Sequence, residues 1–214
     1  MESHYLNHIN QGQSETVAFI SSESEIDLLL ETISALSNTN GGLMFIGVNT
    51  KGKIVGVNPY GIKSKLTDII TKSFNGILSF NIDTCYQKHL CFCVIKISES
   101  INKPLFYSKD LKKISFFRYG VYNVKVSNIL NQIWNAQKKR ISIHLNDDNS
   151  DRLSKNEFSI LSKTPHENPI SFSKLHSTVN MPIKMFEESL VHLVLLEKLT
   201  YILNKENITF IKRK

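Results

Sequence analysis

Long hydrophobic runs are missing from this sequence. No stretch of its 214 residues approaches the roughly 18 apolar residues that a bilayer-crossing helix needs. The start, Met1-Glu2-Ser3-His4, lacks a basic segment followed by an apolar core, so no secretory signal is expected. Cysteine is scarce: Cys85, Cys91 and Cys93 cannot form a disulfide framework, and any single pairing leaves one over. Together these absences predict a reduced, cytoplasmic protein with no membrane contact. Phosphate-loop chemistry is also missing, because no G-x-x-x-x-G-K-[ST] occurs. No Ser-His-Asp or Cys-His nucleophile arrangement is identifiable, and the histidines outside the cysteine region are scattered. No cofactor is expected.

What is present is positive charge. The formal net charge is +7 and the pI about 9.2. Residues 1–140 hold 16 Lys and Arg against 10 Asp and Glu, giving +6, while residues 141–214 hold 10 against 9, giving +1. A basic first region suits a polyanion partner, because phosphate contacts release counterions. The competing explanation is a soluble, lysine-rich surface. Lys51 and Lys53 follow an apolar strand. Lys109, Lys112 and Lys113 precede Phe116, Phe117 and Arg118. Lys138, Lys139 and Arg140 end a helix. Lysines with neighbouring aromatics are what backbone-tracking, base-stacking recognition requires.

The most informative string is Asn38-Thr39-Asn40-Gly41-Gly42-Leu43-Met44-Phe45-Ile46-Gly47-Val48. It reads as helix, glycine turn, then buried strand. The preceding helix is marked by Ser22-Glu23-Ser24-Glu25, which fits a capping box, and by Ile26, Leu29, Leu30, Ile33 and Leu36 at helical spacing. After the strand, Asn49 to Lys53 form a hairpin turn into Ile54-Val55-Gly56-Val57. Thr16 to Ile20 form a first strand, and Leu66, Ile69, Ile70 and Phe74 mark a second helix. Residues 77–86 and 90–97 are strands, as are 104–107 and 114–118. Residues 126–137 form a closing helix. Interspersed strands and helices make the first domain α+β.

Residues 141–152 read as a polar linker, and a second domain follows over residues 153–214. Leu153, Phe158 and Leu161 suggest one helix, and Phe172, Leu175 and Val179 a second. The third begins at Met181-Pro182 with Ile183, Phe186, Leu190, Leu193 and Val194 on its apolar face. Residues 201–203 and 208–211 form a terminal hairpin. This order resembles a winged helix-turn-helix. The third helix offers Lys184, Glu187, Glu188 and His192 outward. Two glutamates are poor base readers, so a protein interface is an alternative. Lys205 on the wing, with Lys212, Arg213 and Lys214 beyond it, would touch phosphates.

The Asn-Thr-x-Gly-Gly turn, the strand ending Ile46-Gly47-Val48 and the following Ile54-Val55-Gly56 resemble the signature of the Schlafen-type AlbA-like domain. Lys103-Pro104, Phe117-Arg118-Tyr119-Gly120 and the opening Gly12 to Ile20 resemble further segments of that family over residues 12–140. The resemblance implies a mixed sheet with flanking helices, followed here by a small winged-helix domain. Some members cleave structured RNA with three carboxylates that hold a divalent metal. The matching positions here are Gln13, Ala18, and Asn49 or Thr50, and the family's lysine is Ile20. None is charged, so a non-catalytic nucleic-acid-binding protein, a transcriptional regulator, is expected. One alternative is a metal-dependent nuclease with a shifted cluster of Glu15, Glu23 and Glu25. Another is an interaction module that dimerises through Phe186, Leu190 and Leu193, if these are exposed. A metal centre of Cys85, His89, Cys91 and Cys93 competes with the reading of cysteines in a sheet core.

Overall fold

The computed structural model describes residues 2–142 and 153–213. The chain divides into two compact units, Met1–Lys125 and Val126–Lys214. Among the described residues no helix is long and apolar enough to cross a membrane.

The first unit is α+β. Its elements are α1 (Glu2–Gln11), β1 (Val17–Ile20), α2 (Ile26–Ser37), β2 (Gly42–Ile46), α3 (Ile62–Ser73), β3 (Phe74–Asn75), β4 (Phe80–Gln87), β5 (Leu90–Ile97), β6 (Phe106–Lys109), β7 (Lys112–Ile114), β8 (Phe116–Tyr119) and β9 (Tyr122–Lys125). The main sheet is mixed, in the order β1-β2-β5-β4. β1 and β2 run parallel, and the other pairs are antiparallel. Side chains alternate between its faces. Ala18, Ile20, Met44, Ile46, Cys93 and Ile95 meet α2 and α3 on one face. Val17, Phe19, Phe45, Phe92 and Val94 meet Tyr5 and Ile9 of α1 on the other. Burial on both faces explains why β2 and β5 read as nearly unbroken apolar runs. Each buried Val, Ile, Met or Phe side chain among them contributes about 1.5–3 kcal/mol. α1 was not expected as a helix, because its apolar positions are few and its remaining residues polar.

Two local expectations change. The strand foreseen over residues 114–118 breaks at Ser115, giving β7 and β8 to separate pairings. The hairpin after β2 reduces to a single bridge between Val48 and Ile54.

The second unit comprises α4 (Asn128–Ser142), α5 (Lys155–Lys163), β10 (Ile170–Ser171), α6 (Phe172–Ser177), α7 (Ile183–Leu195), β11 (Leu199–Asn204) and β12 (Asn207–Lys212). Its sheet has the order β10-β12-β11, all antiparallel. Phe186, Leu190 and Leu193 of α7 are fully buried, as are Ile160, Leu175 and Phe210. Ser154 and Glu157 form a full capping box on α5. Phe158, expected to face the core, is 66% exposed, and Glu157 and Ile160 turn inward instead.

The helix expected to close the first domain belongs to the second unit. Trp134 Nε1 donates to Tyr201 Oη at 3.1 Å. Asn128 and Gln132 donate to Glu187 of α7. An amphipathic helix is legible locally, but the neighbour that covers it is not. Most of the linker, residues 143–152, lies outside the described residues.

The new boundary redistributes charge. Residues 1–125 hold 13 Lys and Arg against 10 Asp and Glu, giving +3. Residues 126–214 hold 13 against 9, giving +4. The expected concentration of charge in the first domain depended on Lys138, Lys139 and Arg140, which α4 carries into the second unit.

Candidate nucleic-acid interface

The signature string is architecture. Asn38 is 1% exposed, and its amide nitrogen donates to the carbonyls of Leu105 and Phe116, each at 2.9 Å. Its amide oxygen accepts from Leu105 N at 2.7 Å. Ser34 Oγ accepts from Phe116 N and donates to Leu105 O. Thr39 Oγ1 accepts from Arg118 N at 2.8 Å. Two polar side chains beyond α2's last turns thus hold the backbone entering β6 and β8. The glycines are required by close approach: a Cβ on Gly42 would lie 2.2 Å from Thr16 O, and one on Gly41 2.6 Å from Ile97 O.

Arg118, expected at a nucleic-acid surface, is 3% exposed. Its guanidinium donates to the carbonyls of Ser14 and Val17 and to Asn123 Oδ1. Asn123 in turn donates to Thr32 Oγ1 at 2.9 Å. Burial lowers the Arg118 pKa to about 10, against a raising influence from Glu15. Planar, forked donors suit this tie between β8 and the β1 approach, and they are not available to phosphate.

The positions matching the family's acids have local duties. Gln13 Oε1 accepts from Phe19 N at 3.1 Å. Ala18 is buried beneath α2 and α3. Asn49 Oδ1 accepts from the backbone of Lys51 and Lys53, closing the turn. The alternative acids do not converge. Glu25 Oε1 accepts from Ser22 N in the turn ahead of α2, but the helix starts at Ile26 with Glu25 as its N-cap and no side-chain cap hydrogen bond, so the capping box expected at Ser22 does not form. Glu23 lines a shallow groove with Val55, Tyr86 and Leu90. Among the described residues no three His, Cys, Asp or Glu side chains are placed to hold a metal ion.

The cysteines do not meet either. Cys85 faces the α1 layer and Cys93 the α2 and α3 layer, on opposite faces of the sheet. His89 sits in the turn between β4 and β5. Burial pushes the Cys93 thiol up to about 12 and raises Cys91 as well, so the thiolate form that binds metal is disfavoured.

The expected lysines fall into separate groups. Lys51 and Lys53 are exposed on a turn whose Gly52 lies against Ile9 of α1. Lys112 and Lys113 are exposed on the β6–β7 hairpin, which is tied to α2 on the sheet's other face by Lys109 Nζ to Asp27 Oδ2 at 2.6 Å. Lys113 Nζ lies 4.7 Å from the Phe106 ring centroid. No single basic face of the first unit gathers them.

In the second unit Lys138 and Lys139 are exposed near the end of α4. Arg140 belongs to α4 by its backbone, and its side chain lies outside the described residues, as does Lys214. Lys184 and Lys205 are exposed, and Lys212 is half-buried. Arg213 is ion-paired with Glu197. Glu187 is engaged by α4, and His192 pairs with Glu157. Of the four residues expected outward on α7, Lys184 and Glu188 are exposed. Phe186, Leu190 and Leu193 are each 0% exposed, so dimerisation through them is ruled out by their burial.

Exposed aromatic and apolar positions were missed. Tyr60 is open, Tyr86 is half-exposed and lines the groove at Cys91, and Leu111 at the β6–β7 tip is fully exposed. The turn signal at Lys109 to Lys113 located the hairpin, but nothing in the local pattern separates an apex leucine from a strand leucine.

Residues 13–127, more than half of the chain, match the family model described as Schlafen, AlbA_2. No curated protein matches the chain. Among solved structures it is similar to the N-terminal domain of a RecG-related protein from Nitrosomonas europaea. That likeness has 18% identity and a TM-score of 0.41, and covers 55% of this chain and 86% of that one. It is also similar to the DIP2311 protein from Corynebacterium diphtheriae. There the identity is 14% and the TM-score 0.46, over 70% of this chain and 29% of that one.

Proposed function

The chain belongs to the Schlafen, AlbA_2 family, and from that premise we propose that it is a non-catalytic nucleic-acid-binding protein that regulates transcription. The observation that carries this reading is a set of exposed lysines without acidic partners. Lys51, Lys53, Lys112, Lys113, Lys139 and Lys184 have no ion pair among the described residues. Such cations bind phosphates by releasing condensed counterions.

The second unit acts as a winged helix-turn-helix on this proposal. Its helices α5, α6 and α7 and the strand order β10-β12-β11 support it. With Glu187 held by α4, one of the two glutamates that weighed against DNA contact is withdrawn from the open face. Contacts through Lys184 and the wing would be mainly to phosphate, with sequence discrimination correspondingly weak.

The reading is tested by electrophoretic mobility of duplex DNA and of tRNA with the full chain. Retarded complexes at low salt that dissolve at moderate salt are expected. The non-catalytic part is tested by incubation of tRNA with Mg²⁺ or Mn²⁺. The RNA should stay intact, and cleavage that disappears in Glu15→Gln would replace the proposal with an enzyme.

A further inference from the structure

The β6–β7 hairpin carries features that its fold does not require. Its two-residue turn is Asp110-Leu111, with φ of +49° and +62°. Hairpin turns of this left-handed kind favour Asn and Gly, and a bulky aliphatic side chain is disfavoured there. Leu111 is fully exposed, so no packing within the chain compensates. A solitary exposed leucine is ordinary. One held at the apex of a ribbon in an unfavourable backbone conformation points toward use.

The flanks add charge on both sides. Lys109 pairs with Lys112 across the ribbon, and Ser108 with Lys113. Side chains alternate along a strand, so Lys112 and Lys113 leave on opposite faces. The ribbon is held just below its turn by the Lys109–Asp27 ion pair, and nearer its base by Lys113 over Phe106 and by pairing of β6 with β3.

We propose that this hairpin is a DNA wedge. The ribbon enters a groove of the duplex, Lys112 and Lys113 meet phosphates on its two walls, and Leu111 presses into an opened base step. A two-stranded ribbon fits the major groove, and an apolar side chain pressed between base steps unstacks them, as minor-groove binders do from the opposite side. The proposal rests on the nucleic-acid reading above and sharpens it to one element.

The test is fluorescence anisotropy of the full chain on two labelled duplexes, one fully paired and one with a central single mismatch. The mismatched step is already partly unstacked, so wild type should bind it about tenfold tighter, the ratio given by about 1.4 kcal/mol of unstacking saved. Leu111→Asn suits the left-handed backbone and should melt no lower than wild type. It should bring the ratio to about one and keep salt-dependent binding. Should it melt lower, Leu111→Gly takes its place. Equal wild-type affinity for the two duplexes overturns the wedge and leaves the nucleic-acid reading standing. No binding to either at low salt overturns both. Wild-type adsorption to phosphatidylserine vesicles that Leu111→Asn abolishes, with its mismatch ratio unchanged, assigns the tip to a membrane surface and overturns the wedge.

Discussion

The two units carry nearly equal net charge, +3 and +4, but hold their polar groups differently. In the first, the charged and amide side chains of the signature regions turn inward. Asn38, Ser34 and Arg118 satisfy backbone groups that would otherwise be buried without partners. In the second, the interior formed by the described residues is apolar apart from Thr164 and the Glu157 cap, and most of their cations stay in water. Family-defining residues and surface-binding residues are therefore different sets. A motif can be highly specific for a fold and contribute nothing to the binding surface.

That contrast can be broken in order of effect. Asn38→Ala should be the most damaging change. It leaves Leu105 N and Phe116 O without their buried partner and Leu105 O with Ser34 Oγ alone, a loss of about 3–5 kcal/mol. Trp134, the single tryptophan, reports on the second unit alone. Circular dichroism should show early melting while Trp134 emission holds its transition. An equal shift in both signals would erase the distinction between the units.

Arg118→Met comes next, at about 2–3 kcal/mol, because three acceptors lose a buried donor. Arg118→Lys should recover part of this, since an ammonium lacks the planar fork. Thermal melting of both variants checks it, and a neutral Arg118→Met would mean that the guanidinium is not structural.

In the second unit the sharpest polar dependence is on pH. Burial raises the Glu157 pKa, but hydrogen bonds from His192 and Ser154 outweigh it and hold the carboxyl below its ordinary value. The stability this supplies is complete above the unfolded carboxylate pKa of about 4.3 and is lost as pH falls through the lower folded value. Trp134 emission should therefore show destabilisation below about pH 4. Glu157→Gln should flatten that dependence and lower stability by about 1–2 kcal/mol at neutral pH.

The smallest structural effect belongs to the open lysines. Lys112→Ala and Lys113→Ala should each change stability by less than about 0.5 kcal/mol. Each should still reduce the salt slope of DNA binding by about one.

Much of the first fold is legible in sequence. Val17–Ile20, Ile26–Ser37 and Leu90–Ile97 fall close to the positions that apolar periodicity indicates. The Gly41-Gly42 turn is legible too, because a close approach leaves room for no other residue. What sequence could not supply is burial of polar groups. Arg118 beside aromatics has the composition of a phosphate contact and the position of a core tie. α4 shows the same limit at the level of domains: its periodicity marks a helix, while only Trp134 with Tyr201 and Gln132 with Glu187 decide which unit it completes. Phe158 fails for a related reason, since a short helix with a capping glutamate can turn that residue inward and leave the aromatic outside.

The most direct test compares log Kobs against log salt concentration for duplex DNA between wild type and a variant with Lys51, Lys53, Lys112, Lys113, Lys139 and Lys184 changed to alanine. The account predicts a steep negative slope for wild type and a slope flatter by several units for the variant, with an unchanged melting transition. Equal slopes, or no wild-type binding at low salt, would contradict it.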